Sequence, residues 1–454
     1  MESRSPDPAA LVRREIWRAL WAFAISPLRM AAYAFQRKRL RRELLLDLAQ
    51  VAEVQTVTGL SLPARPLHLF LSCAEASGES HALELVHSLR ELAREAGAPP
   101  PRLSALGGKL LAAADVELIG DPVQKAAMGL DAFKAVGFYS DLLRKSARHL
   151  IDERPDLVVP VDSPALHVPL GHIAKGCGLG VTHYITPQYW AWAPWRVGGY
   201  RKAVDQALTI LPFEPAWFQR HGVQSIHVGH PQLDVLANTP APSPEDPGRS
   251  TLVLLPGSRR SVVAANLPWM LGVAAAVRLV LPELEVVIPH DREDMREHVE
   301  AHIEAAQASG WVRVAFGDLH QELGRARVAL SVSGTVLLDL LHQRLPCAVI
   351  YRTESRLLAC LGQGILSVPW FSSVNLLAGR EALPEHSFRG RGPLAEVTNY
   401  LTECLSDEER RAEVVAGLQA AATRLGPAGA ARRAAGHILQ QAALHAAREE
   451  QPDE

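Results

Sequence analysis

Short apolar runs alternate with amphipathic helical segments twice over in this chain, and that feature constrains its fold more than any other. The first series opens with Leu67-His-Leu-Phe-Leu-Ser72. A small-residue turn follows, and then a helical stripe with Leu85, Val86, Leu89 and Leu92, with Gly97 as a stop signal. Leu157-Val-Val-Pro-Val161, Val181-Thr-His-Tyr-Ile185, Ala207-Leu-Thr-Ile210 and Ile226-His-Val228 continue the series. Runs this apolar belong to strands buried on both faces, so a mostly parallel sheet covered by helices is expected. The same order restarts at Thr251-Leu-Val-Leu-Leu255. It runs on through Leu284-Glu-Val-Val-Ile288, Val312-Arg-Val-Ala315, Val328-Ala-Leu330 and Cys347-Ala-Val-Ile350. The Pro-rich stretch Thr239-Pro-Ala-Pro-Ser-Pro-Glu-Asp-Pro247 between the two series reads as a linker.

The expected fold class is α/β, with two Rossmann-like domains facing a cleft where sheets of this kind bind ligands. The expected boundaries are 1–65 for an N-terminal extension, 66–240 and 248–390 for the two domains, and 391–454 for C-terminal helices. A chain of 454 residues suits two or three domains, and 48% apolar residues supply their cores.

A net charge of −2 excludes a general nucleic-acid binder, yet residues 1–50 sum to +5 and the rest to −7. Within the extension, Ile16, Trp17, Leu20, Trp21, Ala24 and Ile25 recur at helical spacing beside Arg13, Arg14 and Arg18. The basic run Arg37-Lys-Arg-Leu-Arg-Arg42 follows. Two readings stay open: a helix lying in an anionic membrane interface, or one docked on the body with its arginines solvated. No run of 18 uncharged apolar residues is present, and a secretory signal matches poorly, because no small-residue cleavage site follows a clean apolar core. Five scattered cysteines without a CxxC pair argue against a disulfide framework or structural zinc and fit a reducing cytosol.

Three turns that follow apolar runs have the small residues and helix starts that favour an anion: Ala74-Glu-Ala-Ser-Gly-Glu79, Leu255-Pro-Gly-Ser-Arg-Arg260 and Ser331-Val-Ser-Gly-Thr-Val-Leu-Leu-Asp339. Ser333, Gly334 and Thr335 offer donors, Arg259 a forked cation for a diphosphate, and Asp339 an acceptor for a ribose hydroxyl. Plain helix capping explains any one of these turns as well. Neither a phosphate loop of the G-x-x-x-x-G-K-[ST] type nor a complete G-x-G-x-x-G fingerprint occurs. For proton transfer, Asp162 ends an apolar run at the edge where such sheets place function, although capping of the turn before Pro164 fits it equally. Glu75, Glu79 and His81 would gather on the same edge. His183 reads as a core residue, and the loop Tyr189-Trp-Ala-Trp-Ala-Pro-Trp195 reads first as packing. No metal-site spacing is present.

Taken in order, the motifs resemble the lipid-A-disaccharide synthase family, inverting glycosyltransferases of the two-Rossmann GT-B type. The resemblance runs over about 66–390. It rests on Glu75-Ala-Ser-Gly-Glu79 with His81, Gly107-Gly108, Ala127-Met-Gly129, Arg154-Pro-Asp156, Val161-Asp-Ser-Pro164 and His183-Tyr-Ile-Thr-Pro187 with Trp190-Ala-Trp192. It continues through Leu211-Pro-Phe-Glu-Pro215, Val228-Gly-His-Pro231 with Asp234, Leu255-Pro-Gly-Ser-Arg259, Ser333-Gly-Thr335, Tyr351-Arg352 and Asn375-Leu-Leu-Ala-Gly-Arg-Glu381.

The resemblance implies condensation of UDP-diacylglucosamine with diacylglucosamine 1-phosphate (lipid X) to a β-linked disaccharide and UDP. It implies Asp162 as base and Arg259 as stabiliser of the leaving diphosphate. Glu75, Ser77, Gly78, Glu79, His81, Gly257, Ser258, Ser333, Gly334, Thr335, Asp339 and Asn375 would lie around the substrates. No cofactor, metal or nucleic acid is implied. The expected location is cytoplasmic, on the inner membrane's inner face, and a homodimer is left open. A divergent glycosyltransferase, a UDP-sugar epimerase or a non-catalytic paralogue remain as alternatives. The departures are Glu79 and Asp339, each where the family has the other acid, together with Ala165 and Val262, where the family has carboxylates.

Overall fold

The computed structural model describes residues 6–127, 132–237, 239, 250–290, 292–317, 319–353 and 366–450. It divides the chain into two units, Met1–Asp234 with Pro427–Glu454, and Val235–Gly426. The proposed linker, beyond Thr239, and Met128-Gly129 of one family motif lie outside the described residues.

In the first unit the five residues of β1 (His68–Ser72) are all buried, as a strand covered on both faces requires. Around it stand β2 (Arg102–Leu106), β3 (Glu117–Gly120) and β4 (Leu157–Pro160), in the order β3-β2-β1-β4. The strands β5 (Thr182–Tyr184), β6 (Gln206–Thr209) and β7 (Ser225–His227) follow in sequence order. The parallel bridges Val158↔Val181 and Val161↔Tyr184 join β5 to β4, so all seven form one parallel sheet. The chain moves outward from β1 on one side and from β4 on the other. The carboxyl ends of β1 and β4 are therefore the topological switch point, where open sheets bind ligands.

The second unit repeats the arrangement with β8 (Thr251–Leu255), β9 (Glu285–His290), β10 (Val312–Phe316), β11 (Val328–Val332), β12 (Cys347–Arg352) and β13 (Glu385–Phe388). Its order, β10-β9-β8-β11-β12-β13, is parallel throughout and puts the switch point between β8 and β11. The helix Arg260–Val280 packs on this sheet. It is apolar and long enough to cross a membrane by composition, but half of its most apolar stretch is buried inside the unit.

The C-terminal helices, expected together as 391–454, separate. Leu394–Ser406 and Glu408–Leu425 belong to the second unit, whereas Ala430–Glu450 belongs to the first. Asp234 secures this return: its carboxylate accepts from the backbone N–H groups of Gly429, Ala430 and Ala431 at 2.5–3.0 Å, at the start of the last helix. Arg432 then pairs with Glu91 and Glu95 of the helix Ala76–Glu95. The buried small residues Ala431, Ala434, Ala435 and Ala442 permit a close approach. Partners 195 to 341 residues away in sequence leave no trace in local periodicity, so a compositional boundary missed them.

The extension forms two helices, Pro8–Ala24 and Ser26–Leu48, that break at Ile25, just before Pro27 with its missing N–H. Both belong to the first unit.

Candidate active site

At the carboxyl end of β4, Val161 N–H closes the ladder on Ser72 O at 2.8 Å, and Asp162 N–H donates to Tyr184 O at 2.9 Å. Asp162 (φ +57°) and Ser163 (φ +43°) then adopt left-handed backbone, although neither is glycine. Such conformations cost on the order of 1–3 kcal/mol each and persist only where the surroundings impose them. Here two histidines impose them. His167 Nδ1–H and His183 Nε2–H both donate to the carbonyl oxygen of Asp162, the latter at 2.9 Å. His167 Nε2 in turn accepts from the Ser72 hydroxyl at 2.9 Å, tying β1 to the turn. Burial pushes His167 down to about 4 and His183 to about 3, so both rings are neutral and each has one N–H to give. The backbone of Asp162 is thus pinned while its side chain remains partly exposed. His183 is the buried core residue expected of it, 1% exposed.

The turn after β1 lies beside this one. Gly78 packs against Val161 O, which an added Cβ would meet at 3.6 Å, and Glu75 and Ser77 are exposed at the start of the helix Ala76–Glu95. Glu79 is employed differently from the expectation. It is 3% exposed, and one carboxylate oxygen accepts from the N–H groups of Gly108, Leu110 and Leu111 at 2.8–3.2 Å. A carboxylate at the N-terminus of the short helix Lys109–Ala113 acts as a structural cap. The Gly107-Gly108 motif belongs to the same cap, since a Cβ on Gly108 would lie 2.8 Å from Glu79.

His81 is partly buried, and burial lowers its pKa while the nearby Asp162 and Asp234 carboxylates raise it. His230 is pushed down to about 3 by burial and, to a smaller degree, by His81. Its Nδ1 accepts from Gln232 N–H at 3.1 Å, which leaves the ring proton on Nε2.

In the second unit the turns after β8 and β11 are neighbours, because Leu255 pairs with Ser331. Gly257 (φ +102°) makes this junction possible, since a Cβ would stand 2.8 Å from Val262 and 3.3 Å from Val332. Ser258 and Arg259 are exposed, and Arg259 is the residue immediately before the 21-residue helix Arg260–Val280, with no side-chain cap. Gly334 and Thr335 are exposed beside them. Thr335 precedes the helix Val336–His342 without capping it, and Ser333 donates to Phe371 O at 3.3 Å, so plain capping does not account for this motif.

Asp339 and Asn375, both expected at the nucleotide, are buried. Asp339 is 4% exposed and faces His320 Nδ1 at 3.7 Å, withdrawn from the turn by the inward side of its helix. Asn375 is fully buried. Its amide N–H groups donate to Leu383 O and Glu385, and its oxygen accepts from Ala382 and Leu383 N–H, all within 3.1 Å. Glu385 also accepts from Phe371 and Ser372 N–H at 2.9 Å, so Asn375 supports the Phe371 carbonyl that holds Ser333.

The aromatic loop mostly packs, as expected. Tyr189 and Trp190 are buried, and Trp190 Nε1–H donates to Glu214 at 3.0 Å, while Trp192 is half-exposed beside Arg196. Among the described residues no group of three His, Cys, Asp or Glu is arranged to hold a metal ion. Sequence reasoning missed His167 and noted His230 only within the motif Val228-Gly-His-Pro231. Their signal was position alone, five residues beyond Asp162 and inside the Gly-His-Pro turn after β7.

A family model described as lipid-A-disaccharide synthetase matches residues 69–427, which span both sheets and every turn just described. The chain belongs to the lipid-A-disaccharide synthetase family. It is 31% identical to a lipid-A-disaccharide synthase of Myxococcus xanthus over 83% of this chain and 97% of that one. It is 32% identical to one of Syntrophus aciditrophicus over 81% and 96%. As a member of this family the protein is a glycosyltransferase. Solved structures at 11–12% identity show the fold alone, two Rossmann-like domains of the GT-B type. A proposed UDP-N-acetylglucosamine 2-epimerase from Listeria monocytogenes matches with a TM-score of 0.53 over 77% of this chain and 91% of that one. A UDP-GlcNAc 2-epimerase from Neisseria meningitidis, bound to UDP-GlcNAc, matches at 0.50 over 77% and 94%. The arm before residue 69 lies outside the family match.

Proposed function

We propose that this member of the lipid-A-disaccharide synthetase family joins UDP-diacylglucosamine to lipid X, with the first unit taking the acceptor and the second the nucleotide sugar. One observation carries the assignment of roles: Asp162 is partly exposed and Arg259 exposed, each at the switch point of its own sheet. Asp162 takes the proton as the acceptor hydroxyl attacks the anomeric carbon. The sugar–phosphate bond breaks, inversion gives the β-linked disaccharide, and UDP leaves with the bonding electrons. Arg259 and the N-terminal turn of the helix Arg260–Val280 meet the charge developing on the diphosphate. Gly257, Ser258, Ser333, Gly334 and Thr335 bring backbone close to UDP. Glu75, Ser77, Gly78 and His81 border Asp162. Glu79, Asn375 and Asp339 act through the shape of these turns. No metal takes part in this scheme, and the acylated substrates set its location at the cytoplasmic face of the inner membrane.

The test is incubation of the purified protein with UDP-diacylglucosamine, with and without lipid X. UDP and disaccharide should appear together and only with acceptor. UDP without disaccharide, or no UDP at all, overturns the reading. Asp162→Asn should lower turnover by about 10²–10⁴-fold and leave UDP binding in place.

A further inference from the structure

The N-terminal helices are docked at both ends and bare in the middle. Leu11, Val12 and Glu15 are buried at the start, and Tyr33, Leu44, Asp47 and Leu48 at the end. The anchors are specific: Glu15 meets His172 Nδ1 at 2.8 Å, Tyr33 packs edge-on to Trp195 at 5.3 Å, and Asp47 pairs with Arg220 at 2.6 Å. Between them, no residue from 16 to 32 is buried. That span exposes Trp17 (71%), Trp21 (67%) and Phe23 (83%), with Leu20 and Leu28 beside them, and Phe35 (91%) lies just beyond. Residues 19–28 carry no charge, and Arg18 and Arg29 flank them. From Pro8 to Arg42, nine Lys and Arg stand against a single acid, Glu15, which is buried and pairs with Arg18 as well as with His172.

We propose that this bowed segment is a bilayer-contact element whose apolar span enters the interface of an anionic membrane while its basic flanks meet the headgroups. Residues 16–24 are exposed on every side of the helix. One flat protein face covers only one side of such a helix, whereas immersion in lipid covers all of them. The helical backbone meets its own hydrogen bonds there, and tryptophan at the boundary suits the interface. A second copy of the chain would bring two basic flanks together, so charge favours an anionic lipid surface over self-association. The proposal deepens the reading of the substrates as lipids, and its test needs no substrate, so the two can fail separately.

Co-sedimentation of the full chain with vesicles of phosphatidylcholine, with and without phosphatidylglycerol, reads it directly. Wild type should bind the anionic vesicles. Trp17→Ser, Trp21→Ser and Phe23→Ser combined should weaken that binding by about tenfold or more, with an unchanged melting midpoint because all three side chains are exposed. Lys38→Gln with Arg42→Gln should weaken it by about thirtyfold, the effect of two surface charges, on anionic vesicles only. Wild type that ignores the anionic vesicles overturns the proposal. So does a triple variant that binds as wild type, or one whose only change in sedimentation velocity is loss of a dimer.

Discussion

His167 Nδ1–H donates to the carbonyl oxygen of Asp162 while its Nε2 accepts from Ser72 Oγ. One neutral ring therefore holds the end of β1 and the strained turn after β4 in a single arrangement. His167→Ala should lower kcat by about tenfold or more while KM for the nucleotide sugar stays near wild type. Unpairing the Ser72 hydroxyl and leaving the Asp162 carbonyl to His183 alone should cost about 1–3 kcal/mol of stability. His167→Asn places an amide N–H near the position of Nδ1 and should recover much of kcat without recovering stability. Equal turnover in both variants would remove the link between this hydrogen bond and catalysis.

Arg259 acts through geometry as much as charge, since a guanidinium can grip a diphosphate with two parallel hydrogen bonds. Arg259→Ala should reduce kcat by about 10²–10³-fold, the size seen when one donor to a developing charge is lost. Arg259→Lys keeps the charge and loses the fork, so it should fall between the two. Steady-state UDP release, with lipid X held saturating, measures both.

Gly257 combines a φ of +102° with an added-Cβ distance of 2.8 Å to Val262. Gly257→Ala should destabilise the second unit by about 1–3 kcal/mol and weaken UDP binding more than it affects the first unit. Gly257→Ala with Val262→Ala should relieve the contact but keep the backbone strain, recovering only part of the loss. Denaturant unfolding and UDP titration calorimetry of both variants decide this.

Stability should fall as pH drops from about 6.5 toward 4. His167 and His227 are lowered to about 4, and His183 and His230 to about 3, by burial. The folded state therefore binds fewer protons than the unfolded one in that window, and acid favours unfolding. Glu214 opposes this trend. It is fully buried and pushed up to about 7 by desolvation, so its contribution declines as pH rises from about 4.5 to 7. Glu214→Gln removes the opposing contribution, so the fall on acidification should steepen. Urea midpoints between pH 4 and 8 measure both slopes, and an unchanged slope in the variant would show that Glu214 does not titrate in this range.

The turns proposed to form the site were legible because their chemistry is local. The switch-point turns carry their own small residues, and Asp162 and Arg259 stand one and four residues after the apolar runs that became β4 and β8. The structural bonds of Glu79 and Asn375 were not legible, for the opposite reason. A side chain that caps Lys109–Ala113 or braces the Phe371 carbonyl looks, in one dimension, like one that faces a ligand. What separates the two roles is burial, together with the backbone N–H groups that fill its oxygens.

The alternation of strands and helices, the parallel sheets and the charged arm follow from the sequence by itself, because apolar periodicity and turn chemistry act over a few residues. By contrast, β2, β3 and β13 carry too short or too polar a run to be read that way. Tertiary structure alone decided that the last helix returns to the first unit, that two histidines pin the turn at Asp162, and that residues 16–32 remain bare. These outcomes depend on contacts between residues distant in the chain, whose loop-closure entropy is offset only when the whole core forms.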